Sequence, residues 1–69
     1  MLDKLKQLAA ILDKLGDVDA VALEYDWEHG WLCGFKNGDQ WVICVSGWHS
    51  EPQLAVDDCF SRSKEINVE

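Results

Sequence analysis

Cys33, Cys44, Cys59, His29 and His49 are the side chains of this 69-residue chain that could bind a metal or attack an electrophile. A structural zinc site gathers four such ligands, usually through closely spaced cysteine pairs. The chain has no Cys-x-x-Cys pair. Strand alternation puts Cys33 and Cys44 on opposite faces of a sheet, and His29 falls in a turn. The cysteines therefore read as small hydrophobes and free thiols, with Cys44 the reachable one. An odd number of cysteines without that pairing fits a reducing compartment, so the expected location is cytoplasmic.

His49, Ser50 and Glu51 have the composition of hydrolase residues, but a nucleophile needs an oriented base inside a pocket. Ser50 followed by Gln53 instead fits a capping box, with Pro52 in the first turn of a helix. Asp57 and Asp58 project about 100° apart on that helix and form no acid–base dyad. Gly30, Gly34 and Gly38 follow strand and turn spacing, not that of a phosphate-binding loop. No catalytic, cofactor-binding or metal-binding residue is assigned, no cofactor is expected, and the chain reads as non-enzymatic.

The elements that position these residues follow from periodicity. Leu2, Leu5, Leu8, Ala9, Leu12 and Leu15 recur at three- and four-residue spacing, which predicts an amphipathic helix of about four turns stopped by Gly16 at C′. From Val21 to Val45 the odd positions are apolar outside the turns, the alternation of strands buried on one face. Strands are expected over 19–27, 31–36 and 40–46. Glycine ends both Trp27-Glu28-His29-Gly30 and Phe35-Lys36-Asn37-Gly38, which suggests three-residue loops that pair Trp27 with Trp31 and Phe35 with Asp39. That register places Tyr25, Cys33 and Trp41 in one row and Trp27, Trp31 and Ile43 in the next, all facing the helices. A second helix reaches about Ser63, with Val56, Cys59 and Phe60 inward. The expected fold is α+β: helix, three-stranded antiparallel meander, helix, both helices on one face. It forms one domain over 1–64, with a frayed tail over 65–69.

Thirteen acidic against six basic residues leave a net charge of −7. Such a surface repels phosphate backbones, so direct nucleic-acid binding is not expected, and nothing in the chain suggests a membrane segment. A basic protein surface is the complementary partner. The residues assigned to it are Glu24, Asp26 and Glu28 on one sheet edge, Asp57 and Asp58 on the second helix, and Trp48 as an exposed anchor. The uncovered sheet face carries Leu32, Val42 and Cys44, an apolar centre that could join two copies of the chain into a homodimer.

In size, acidity and one-layer architecture the chain is similar to phage-borne inhibitors of the anti-CRISPR and DNA-mimic kind. The resemblance implies a binding module that blocks a basic, nucleic-acid-handling surface on its partner. The alternative expectation is a small structural protein, monomeric or dimerising through its open sheet face.

Overall fold

The computed structural model describes residues 2–65. The leucine stripe forms helix α1 (Leu2–Ile11), which buries Leu8 completely and packs Leu5 and Ile11 against the core. The last part of the expected four-turn helix tightens into a single 3₁₀ turn, Leu12–Lys14. It ends as Leu15 becomes extended (φ −108°, ψ 109°), not at a left-handed Gly16.

Alternation then yields three antiparallel strands in the order β1 (Ala20–Asp26), β2 (Gly30–Asn37) and β3 (Gln40–Ile43). In the first hairpin odd residues face odd residues, Val21 with Phe35, Leu23 with Cys33 and Tyr25 with Trp31. The faces match the expected ones, but the pairing is displaced: Asp26 meets Gly30, and Trp27 belongs to the turn. The cause is chemical. The Asp26 carboxylate accepts the Glu28 N–H at 2.8 Å and its carbonyl accepts the His29 N–H at 3.1 Å, which closes the strand one residue early.

The second hairpin departs further from expectation. Gly38 and Asp39 form a two-residue turn with Gly38 at φ +61°, as in a type II′ hairpin, and Asn37 pairs with Gln40. Lys36 consequently faces Trp41, so Trp41 lies on the sheet face away from the helices. A bulge between Phe35 and Lys36 then shifts the register, and Phe35 meets Ile43. The strand stops there instead of reaching Ser46.

Cys44 follows with φ +58°, a left-handed conformation that few non-glycine residues adopt, and its side chain enters the core. The chain next continues along β2 in the direction of β3. Ser46 N–H donates to the Cys33 carbonyl at 2.7 Å, and Ser46 Oγ accepts the Cys33 N–H at 3.0 Å. His49 and Trp31 exchange two backbone hydrogen bonds of 2.7 and 3.0 Å. Gly30, at φ +105°, lies so close to this segment that a β-carbon would overlap the His49 carbonyl oxygen.

Helix α2 (Pro52–Ser63) starts from Glu51 with proline in its first turn. The capping box expected of Ser50 and Gln53 does not form, since Gln53 Nε2 instead donates to Asp57 Oδ1 at 2.8 Å. Ala55, Val56 and Cys59 face Leu8, Cys33, Phe35 and Cys44 in one core, so both helices cover the same face of the sheet. The architecture is α+β, as the periodicity implied. Among the described residues no helix is long and apolar enough to cross a membrane. The tail expected to fray over 65–69 lies, from 66 onward, outside the described residues.

Candidate functional site

Four tryptophans are distributed differently from the sequence-based expectation. Trp31 packs against the core and lies 5.0 Å, ring to ring, from Tyr25. Trp41 sits on the opposite face, where it closely approaches Gly34 and supports the Lys36 ammonium 4.8 Å above its ring. Trp27 in the Asp26 turn is 80% exposed, and Tyr25 at the end of β1 is 60% exposed. Trp48 is 47% exposed.

Tyr25, Trp27 and Trp48 gather with Glu24 and Asp26 around an open groove of about 390 Å³. Two segments hold these side chains in place. On one side the Asp26 carboxylate organises the turn through Glu28 N–H and through His29 Nδ1, 3.1 Å from its second oxygen. Those contacts, the Glu28 amide first, hold the Asp26 carboxyl below the usual carboxylate range, so it stays ionised. On the other side Trp48 lies between two tethered residues. Gly47 N–H and His49 Nε2 both reach Asp58 Oδ2 at 2.9 Å, and His29 stacks 5.0 Å from the Trp48 ring.

The acidic residues assigned to a partner surface differ in their availability. Glu24 pairs with Lys36 at 2.8 Å through Oε2 while its side chain stays half exposed. Glu28 makes no ion pair among the described residues. Asp57 joins the two helices through Lys4 at 2.6 Å, and that contact, followed by the Gln53 hydrogen bond, lowers its carboxyl. Asp58 is held by His49, Gly47 and Arg62, and the His49 hydrogen bond is the largest cause of a carboxyl lowered to about 2. Glu24, Asp26, Glu28 and Trp48 therefore share one region, whereas Asp57 and Asp58 face contacts within the molecule.

The open apolar centre expected on the uncovered face is not there. Leu32 is 8% and Cys44 9% exposed, which leaves only Val42 of the three at the surface. Trp41 and Val45 lie over Gly34 on that face, and the left-handed Cys44 turns its thiol the other way.

Cys44 is thus neither reachable nor on the face opposite Cys33. Burial pushes its thiol upward, with Arg62 opposing. Cys59 is raised further by its hydrogen bond with Cys33 and by burial. The same hydrogen bond lowers the Cys33 thiol, and burial shields all three thiols from attack. Among the described residues no group of three or more His, Cys, Asp or Glu is placed to hold a metal ion.

Tyr25 and Trp27 are the groove residues that sequence reasoning missed, because both extend the apolar alternation of β1. The signal that could have separated Trp27 from the strand is Asp26, whose type starts turns. No family model, curated protein or solved structure matches this chain.

Proposed function

We propose that this chain is a non-catalytic protein-binding module that docks on a basic surface of its partner through the groove at the end of β1. One observation carries the reading: the exposed Trp27 and Trp48 line one groove with the ionised Asp26 and the half-exposed Glu24. Aromatic side chains dominate the energetic centres of protein interfaces, and an acidic rim selects a basic partner and speeds encounter. The net charge of −7 acts in the same direction at long range. A catalytic reading has less support, since the groove lining contains no serine, cysteine or histidine.

On a nucleic-acid-handling partner, docking at such a surface competes with the phosphate backbone. This is the inhibitory role that size and charge suggest, and the groove residues carry it better than Asp57, which joins the two helices, and Asp58, which ties the Trp48 segment to α2.

The test is a binding titration of the purified chain against purified nucleic-acid-handling proteins with basic channels. The expected result is an association that weakens steeply above about 0.1 M salt, is displaced by nucleic acid, and is weakened about tenfold or more by Trp27→Ala. Absence of binding at low salt across the set, or binding that Trp27→Ala and Trp48→Ala leave unchanged, overturns the reading.

A further inference from the structure

The groove at the end of β1 has a geometry that narrows what part of a partner it receives. Its aromatic lining includes the exposed Trp27 and Trp48, and its charged members are two carboxylates, Glu24 and Asp26. No lysine or arginine lines it. A site with aromatic walls and anionic ends complements a cation that also presents a flat, weakly hydrated face.

We infer that this groove receives a single arginine side chain projecting from the surface of the partner protein, a reading that rests on the binding function proposed above. The guanidinium stacks on an indole, and its edge donates hydrogen bonds to the carboxylates. Glu24 is suited to this, because Lys36 engages Oε2 and leaves Oε1 without a hydrogen bond among the described residues. Asp26 already receives Glu28 N–H on one oxygen and faces His29 with the other. Each carboxylate oxygen can accept a second donor, so Asp26 contributes charge and one further bond.

The chain contains an internal instance of the same recognition. Lys36 Nζ lies 4.8 Å from the centre of the Trp41 ring and 2.8 Å from Glu24 Oε2, a cation held between an indole face and a carboxylate. Glu24 therefore already takes part in one such cation–indole arrangement and also lines the open groove. An ammonium suits the groove less well than a guanidinium. It is a compact, strongly hydrated charge, whereas the planar fork can lie flat on a ring and bond sideways at once.

The test uses capped peptides, Ac-Gly-Gly-Arg-Gly-NH2 and its lysine and citrulline counterparts, titrated into the intact chain while the four indole N–H resonances are followed. Citrulline keeps the shape and removes the charge. The arginine peptide is expected to shift the Trp27 and Trp48 signals, and to bind about tenfold more tightly than the citrulline peptide. It is also expected to bind more tightly than lysine, and to lose affinity in Trp27→Ala and Glu24→Gln. Trp27 is largely solvent-exposed, so Trp27→Ala keeps the fold, checked by its unchanged Trp31 and Trp41 resonances.

Equal binding of arginine and citrulline peptides, or shifts spread over the acidic surface and absent from Trp27 and Trp48, overturns the inference. The two proposals fail separately. A basic partner that docks through the groove without needing an arginine overturns the inference alone. An arginine peptide that fills the groove while no basic protein docks overturns the binding-module reading and leaves the groove's preference intact.

Discussion

Asp58 shows how one side chain serves both the fold and the groove. Its carboxylate meets Gly47 N–H, His49 Nε2 and Arg62 Nε, each at 2.9 Å, and so ties the segment that presents Trp48 to helix α2. These partners favour the ionised form in the folded chain, which lowers its pKa from 3.8 to about 2. A depressed folded pKa adds stability that is complete above about 4 and is lost as pH falls toward about 2. Screening by solvent at a side chain still about a quarter exposed limits this to about 1 kcal/mol. Urea titrations at pH 6 and pH 3 are expected to show about half of that loss in the native chain and a smaller one in Asp58→Asn. An equal pH dependence in both would remove Asp58 from this role. In the variant the Trp48 indole resonance should also shift, because its two flanking tethers are weakened.

At the scale of elements, the segment that continues β3 shapes the uncovered sheet face at Gly34. Gly34 permits it: a β-carbon there would stand 2.9 Å from Val45 Cα and 3.1 Å from the Trp41 ring. The first contact is with backbone, which cannot rotate away. Gly34→Ala is therefore expected to force the segment outward and cost about 1–3 kcal/mol, the usual scale of overpacking. Chemical denaturation measures the loss, and faster amide exchange at Ser46 and His49 locates it. A neutral substitution would mean that the segment is less closely seated than this contact requires. The same element makes Cys44 a core residue, since the chain reverses its facing at φ +58° to continue along β2.

For the whole molecule, the charge is balanced at short range and unbalanced at long range. Ion pairs join Lys4 to Asp57, Lys36 to Glu24 and Arg62 to Asp58 at 2.6–2.9 Å, yet the chain keeps a net charge of −7. Raising salt from about 0.01 to about 0.15 M shortens the screening length from about 30 to about 8 Å. Repulsion among distant carboxylates is then suppressed more than the direct contacts. The melting temperature is expected to rise over that interval while affinity for a basic partner falls. A melting temperature that falls would mean that the ion pairs contribute more than the excess charge costs. Opposite signs for folding and binding are the mark of a surface kept acidic at some cost in stability.

Local pattern carried much of the architecture. The leucine spacing of α1 and the odd-numbered alternation through Val21, Leu23, Cys33 and Phe35 both express a periodicity that depends only on neighbouring residues, and they placed two helices over one face of a three-stranded sheet. Glu24, Asp26 and Trp48 of the candidate groove were legible by type and charge. Turn geometry was not, because Asn37, Gly38 and Asp39 suit several turns and the choice among them depends on how the flanking strands pack. That choice reverses the facing of Trp41. Likewise, Tyr25 and Trp27 continue the apolar phase of β1, yet the folded chain leaves both largely in solvent. The sequence by itself determined the elements and the acidic excess, which are properties of local periodicity and composition. Tertiary structure decided register, the burial of Cys44 and Leu32, and the meeting of Trp27 and Trp48 with two carboxylates along one groove, because these follow from contacts between residues distant along the chain.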